Sequence, residues 1–251
     1  MRTIEMKITI PEGARFSSVE VKEDYAVVKF NLEETEENKM FERRIDPETF
    51  KGEWLNHIPT TSNQKMILNL YQDAKVNGRL HAFTCMAIDP SIKDGKLVYE
   101  KGLKPAVGFS QRKWKKMLKK YDPSRNSRQM TRTEYACKCL FIIQELVKSG
   151  YEVDEAWAVV CDDSKKIGHY YNSDNAKHDF EPTGSRNVCG FYDLANAWKL
   201  LAEDPWDKAG GFWAAGGDFS NKSNFNPVAE LLYCNFVYDD NFYGLGVLAL
   251  D

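Results

Sequence analysis

The stretch TRTEYACKCLFIIQELVKSG, residues 131–150, carries the clearest helical pattern in the chain. Thr131 followed three residues later by Glu134 has the form of a capping box, in which each side chain satisfies a backbone N–H of the first turn. Gly150 stands where a helix ends in a left-handed residue. Between them Tyr135, Cys139, Ile142, Ile143 and Leu146 recur at helical spacing and form a stripe that needs a core to pack against. Cys137 and Cys139 lie two apart, so a helix turns them to different faces.

Toward the C-terminus, DEAWAVVC predicts a second helix starting at Asp154. A polar segment, HYYNSDNAKHDFEPTGSRN, reads as a loop, and GFYDLANAWKLLAED and a closing stretch follow it. Toward the N-terminus, SQRKWKKMLKKYDP predicts a short helix with Ser110 as its N-cap. Its lysines and arginines invite a nucleic-acid reading. Trp114, Met117, Leu118 and Tyr121 nevertheless make one apolar stripe, which leaves the charges as a solvated face, and that reading is preferred. KDGKLVYEKGLKPAVG reads as a loop, RLHAFTCMAIDP as a buried strand ended by Pro90, and NQKMILNLYQDAKVNG as a helix stopped by Gly78.

The first fifty residues are β-rich in pattern. Ile4, Met6, Ile8 and Ile10 alternate with polar residues, and FSSVEVKE and YAVVKFNLEE are two further strand candidates. The acidic NLEETEEN is a turn or linker. Three short strands bury little by themselves, so this segment is expected to attach to the rest of the chain or to a second copy. The division expected is a β-rich segment 1–50, a mixed region 51–107 that is either separate or the start of the main domain, and a main domain 108–251. The fold class expected is α+β.

Composition narrows the function classes. The 251 residues carry 43% hydrophobic and 28% charged side chains, as soluble globular proteins do. A net charge of −3 supplies no global attraction for nucleic acid or an anionic membrane. The N-terminus lacks the apolar run of a signal peptide, and nothing approaches the roughly 18 apolar residues of a membrane span. Synthesis in the cytoplasm, without membrane insertion, is therefore expected. The six cysteines lack paired zinc spacing and read as reduced thiols.

Chemical motifs are scarce. The four histidines (His57, His81, His169, His178) fit no HExxH-type spacing, and no nucleophile elbow, P-loop or dinucleotide fingerprint occurs. His169 and His178 lie near Asp162, Asp163, Asp174 and Asp179, which suggests an acid–base or metal cluster; a solvated polar loop explains the same residues without special arrangement, and that reading is preferred. Cys234 has no basic sequence neighbour to activate it. Neither a cofactor nor a metal is expected.

Four short motifs occur in order through the second half. They are Glu155–Ala156–Trp157, then Gly190–Phe191–Tyr192–Asp193–Leu194–Ala195–Asn196–Ala197–Trp198, then Gly210–Gly211–Phe212–Trp213, then Gly244–Leu245–Gly246–Val247. From near Gly108 onward the chain resembles the C-type-lectin fold in the version used by formylglycine-generating enzymes and their non-catalytic relatives. The likeness departs at two points: the glycine before Asn196 is missing, and the closing Gly-Phe-Arg is Gly246–Val247–Leu248 here. The resemblance implies a C-type-lectin-like main domain. It does not carry the enzyme's activity, because that needs a pair of active-site cysteines and only Cys234 lies in the matching part. An enzyme on the same fold and a phage-encoded inhibitor of a host protein remain alternatives.

The same fold is the usual scaffold of the variable proteins of diversity-generating retroelements, in which template adenines are miscopied into the 3′ end of a target gene. Mutated AAY codons yield Asn, Ser, Tyr, Phe, Asp, Cys and other residues, but never Lys, Glu, Gln, Met or Trp. FSNKSNFN (219–226) and YCNFVYDDNFY (233–243) fit that repertoire except at Lys222. Ordinary drift in a Tyr/Asn-rich loop is the plain alternative. The resemblance implies a variable segment over 218–243. Its expected ligand-binding residues are Phe219, Asn221, Ser223, Asn224, Phe225 and Asn226, then Tyr233, Asn235, Phe236, Tyr238, Asp239, Asp240, Asn241, Phe242 and Tyr243. Aromatics with small polar residues are the composition of antibody paratopes. The expected partner is a macromolecule, a protein or cell-surface component and not nucleic acid, met by a phage or prophage product that is virion-associated. A homo-oligomer built through the N-terminal segment is a further expectation. Trp213, Val228, Leu231, Leu232, Leu245, Val247 and Leu250 are expected to form the frame beneath the variable segment.

Overall fold

The computed structural model describes residues 41–168, 190, 191, 194, 197–206, 212–217, 222–224, 226–234 and 244–251, and the backbone of 14–21 and 26–32. Two units divide the chain, Met1–Phe41 and Glu42–Asp251. In the first, β1 (Ala14–Val21) and β2 (Ala26–Leu32) pair antiparallel, with a register shift between Phe16 and Ser18. The strand expected over Ile4–Ile10 lies outside the described residues. The boundary falls at Phe41/Glu42, not after residue 50, because β3 (Glu42–Ile45) pairs along its whole length with β4 (Phe83–Met86). Residues 51–107 belong to the same unit as the main domain.

The second unit is a mixed α+β structure. Its helices are α1 (Ser62–Val76), α2 (Gln111–Lys119), α3 (Arg132–Lys148) and α4 (Val153–Cys161). The capping box predicted for α3 is present in full. Gly150 and Gly78 both have positive φ, the conformation a helix stop needs. Ser110 caps α2 by accepting from the Lys113 N–H, and Trp114 and Leu118 point inward as predicted. Helix α4 begins at Val153, one residue before the predicted Asp154, and its N-cap Glu152 makes no side-chain cap bond.

Helix α3 departs from the one-stripe expectation. Not only the stripe but also Ala136, Cys137, Leu140, Glu134 and Lys138 are buried. Over Thr133–Leu140 the helix is buried on every face, so this half lies inside its domain and not on its surface. Helices α1 and α4 pack on it, together with β3 and the 3₁₀ turn Glu53–Asn56. The two faces of Cys137 and Cys139 are therefore both interior. Cys85, Cys137, Cys139 and Cys161 are free buried thiols. Burial pushes Cys85 up to about 11 and Cys139 to about 12, so neither is a thiolate at neutral pH.

Two four-stranded sheets flank this core. One has the order β3-β4-β12-β7, all antiparallel, with β7 (Arg128–Gln129) and β12 (Leu248–Leu250). Its strand β4 is buried at every position, as RLHAFTCMAIDP predicts. The other has the order β10-β9-β8-β11, with β8 (Trp198–Leu201), β9 (Phe212–Ala215), β10 (Leu231–Cys234) and β11 (Gly244–Gly246). Strands β8, β9 and β10 run antiparallel, and β11 lies parallel to β8. The chain passes from β11 in one sheet to β12 in the other through Val247, whose carbonyl accepts from the Met130 N–H at 2.8 Å. The two sheets are thus tied by one continuous stretch.

The segment read as a loop after Pro90 contains a hairpin. β5 (Ser91–Lys93) and β6 (Lys96–Val98) pair antiparallel around Asp94–Gly95, both with positive φ. An Asp-Gly pair at a two-residue turn is a strong hairpin signal, which the loop expectation left out. Among the described residues no helix is long and apolar enough to cross a membrane.

Candidate binding surface

Strand β10 (Leu231–Cys234) stands at the edge of its sheet among the described residues and lies within the expected variable segment 218–243. Along β10 Leu231 is buried while Leu232 and Tyr233 are exposed. Leu232 was expected in the frame; it faces outward instead, because successive residues of a strand alternate sides and Leu231 holds the inner position. Val228, Leu231, Leu245, Val247 and Leu250 are buried as expected, and Trp213 is half-buried.

A stack of rings and charge converges beside β10. Asp204, 1% exposed, accepts from the Thr133 N–H at 3.3 Å and from Thr133 Oγ1 and Arg132 Nε at 2.9 and 2.8 Å. Arg132, held there by its carboxylate, places its guanidinium 4.7 Å from the Trp213 ring centroid, within cation–π range. The Trp213 and Tyr233 rings lie 5.1 Å apart and tilted. The Trp213 Nε1–H is buried and has no hydrogen-bond acceptor among the described residues. The result is an aromatic ladder anchored at one end by a buried carboxylate and reaching the exposed Tyr233 at the other.

Beneath the first expected cluster the backbone is pinned from the core. The Tyr135 hydroxyl donates to the Val228 carbonyl (3.0 Å), and Val228 N–H donates to Ser164 Oγ (2.8 Å). Ala229 N–H donates to the Val160 carbonyl and Gly216 N–H to the Glu230 carbonyl, at 3.1 and 2.9 Å. Asn226 Nδ2 donates to Glu230 (2.7 Å), and burial raises that carboxyl above its usual range.

Of the residues expected to bind ligand, Asn224 and Tyr233 are exposed and Asn226 is half-buried. Ser223 is not at the surface: it is fully buried, and its carbonyl accepts from the Ser164 N–H at 3.3 Å. It belongs to the frame, because the turn that presents Asn224 has to be tied down at its neighbour. Phe219, Asn221, Phe225, Asn235, Phe236, Tyr238, Asp239, Asp240, Asn241, Phe242 and Tyr243 lie outside the described residues, as do His169 and His178. Arg132 and Asp204 were not singled out by the sequence reading. Arg132 offered no signal beyond its position in the first turn of α3.

Two other polar clusters are accounted for structurally. His81, Glu134 and Asp251 bring ligand atoms within 4.8 Å of one another. The Arg128 guanidinium already sits among them, with Nη2 2.6 Å from Glu134, 2.8 Å from Asp251 and 3.3 Å from His81. A cation occupies the place a metal would take. His57 stacks on Trp157 with centroids 4.9 Å apart and spends both ring nitrogens, on Asp154 and Gln64, each at 3.0 Å. That leaves neither nitrogen for a substrate, and the cluster joins the start of α1 to α4.

No protein family, no curated protein and no solved structure matches this chain.

Proposed function

We propose that this chain is a non-enzymatic binding protein with a C-type-lectin-like main domain, presenting a diversified surface at β10 and the residues after it to a macromolecular ligand. The observation that carries the reading is the Arg132–Trp213–Tyr233 ladder on an edge strand whose flanking turn is anchored by main-chain bonds. Main-chain anchoring is what a variable surface needs, since the frame must hold while side chains change. Rigid aromatics give contact area at low entropic cost, and they are the residues that dominate interface energetics.

The positions of the four ordered motifs support the same reading. Glu155–Ala156–Trp157 falls within α4, Trp198 opens β8, Phe212–Trp213 opens β9, and Gly244–Gly246 forms β11. Those described residues of the four motifs therefore fall on four distinct elements of one unit. The origin proposed for the surface is a diversity-generating retroelement of a phage or prophage.

Two experiments test this. Randomising Tyr233 and positions 235–243 in a displayed library and selecting by protease resistance is expected to leave most members folded. A library in which most members unfold would end the variable-surface reading. The retroelement part is tested on the gene: a near-copy of the codons for 219–243, differing only at adenines, is expected beside a reverse-transcriptase gene. A complete genome without such a repeat removes that part while leaving the binding surface open to the library test.

A further inference from the structure

The apolar stripe that the sequence places on α2 is only partly covered. Trp114 and Leu118 are fully buried, whereas Met117 and Tyr121 are half-buried. These two form one wall of a groove of about 650 Å³ between α2 and the β5–β6 hairpin, within the roughly 300–1,000 Å³ usual for small-molecule sites. Ile92 and Leu97 from the hairpin and Phe109 ahead of α2 complete its apolar lining. The rings are braced from behind: Phe109 meets the buried Trp114 edge-on at 5.4 Å, and Tyr121 meets the buried Tyr99 at 5.2 Å.

Three lysines stand on the same walls, Lys96 on the hairpin and Lys113 and Lys120 on the helix side. Lys113 Nζ lies 3.7 Å from the Phe109 centroid, which holds its ammonium over the apolar lining. All three are exposed, and none makes an ion pair among the described residues. Among the described residues no acidic side chain lines the groove. Of the carboxylates nearest in sequence, Glu100 pairs with Lys93 at 2.7 Å, Asp122 accepts from the Ser124 N–H at 3.1 Å, and Asp94 lies in the hairpin turn outside the lining. Lysine donates hydrogen bonds and accepts none, so the Tyr121 hydroxyl is the one strong side-chain acceptor in that lining. A base, a sugar or a peptide amide brings donors that such a lining does not meet. A head group made only of acceptors and carrying negative charge matches it.

We propose that this groove binds a single-chain anionic amphiphile, a fatty-acid carboxylate whose alkyl chain lies along Ile92, Leu97 and Met117 and whose head group pairs with the lysines of the rim. Nine residues line the groove, too few for a protein partner, which engages about 20–30 residues on each side. The site shares no residue with the β10 surface and stands whether or not that surface binds a macromolecule.

Calorimetry on the full chain tests it, with decanoate kept below the concentration at which it forms micelles. The wild type is expected to bind decanoate saturably, and 1-decanol, which lacks the charge, at least ~10-fold more weakly. A variant carrying Lys96→Gln, Lys113→Gln and Lys120→Gln is expected to lose at least ~10-fold in affinity for decanoate. Absence of saturable binding, equal affinity for decanoate and 1-decanol, or unchanged affinity in the variant overturns the proposal. Acetic-anhydride labelling of the wild type gives a reading that needs no variant. Decanoate is expected to protect one or more of Lys96, Lys113 and Lys120, while Lys115 and Lys116, exposed on α2 but outside the groove, react as before. Labelling unchanged at all three groove lysines overturns the proposal. In sedimentation without decanoate, a dimer that the three substitutions dissociate assigns the groove to a second copy and likewise overturns it.

Discussion

Glu134 closes the α3 capping box with one carboxylate and pairs with Arg128 and His81 through the same two oxygens. Burial pushes its pKa up, but the hydrogen bonds from His81 and Arg128 outweigh burial and hold it at about 2, against a usual 4.5. A lowered carboxylate contributes stability that is complete above its unfolded pKa and is lost as pH falls through the folded one. His81, raised by its bond to Glu134, contributes in the opposite sense: fully below 6.5, and progressively less as pH rises through its folded value. The pair is therefore at full strength between pH 4.5 and 6.5. Glu134→Gln is expected to cost about 3 kcal/mol near pH 6 by leaving Arg128 without its buried partner. In a thermal melt that is a fall of roughly 6–12 °C, shrinking as the pH is lowered from 4.5 toward 2. A cost independent of pH would show that the charge contributes nothing.

Gly246 makes a different case at the same scale. A Cβ added there would lie 2.6 Å from the Trp114 ring, and Trp114 Nε1 donates to the neighbouring Gly244 carbonyl at 3.1 Å. The glycine is required by the close approach of a buried indole, not by its φ. Gly246→Ala is expected to destabilise by about 1–3 kcal/mol through overpacking, measured by chemical denaturation. An unchanged midpoint would mean that β11 can shift away from the ring.

For the elements, helical periodicity and caps were legible because they are encoded within a few residues. The capping box at Thr131, the Ser110 cap and the glycine stops all fell where sequence placed them. Which faces would be covered was not legible in α3, whose first half, Thr133–Leu140, is buried on every face because other elements pack around it. The same limit explains Leu232. Two adjacent leucines in a strand carry no local mark of which points inward, and only the pairing of β10 with β9 decides. Leu231→Ala is accordingly expected to cost roughly 2–3 kcal/mol, while Leu232→Ala stays within about 0.5 kcal/mol. Equal costs in urea denaturation would contradict the assigned register.

Across the whole molecule, Glu42–Asp251 forms a unit of its own. The truncated chain 42–251 is expected to express as a folded protein with a single cooperative melt. A broad or absent transition would show that Met1–Phe41 is needed for folding. The sequence by itself determined the α+β class, the position of the central helix with its ends, and the buried strand β4, because period, caps and apolar runs act over one or two turns of chain. Only the tertiary structure decided that residues 42–107 share the main unit and that Ser223 is interior. It also brought Asp204, Arg132, Trp213 and Tyr233, up to a hundred residues apart, into one ladder. The physical reason is that local propensity selects an element, whereas the partner of each face is chosen by packing and charge neutralisation among elements distant in sequence.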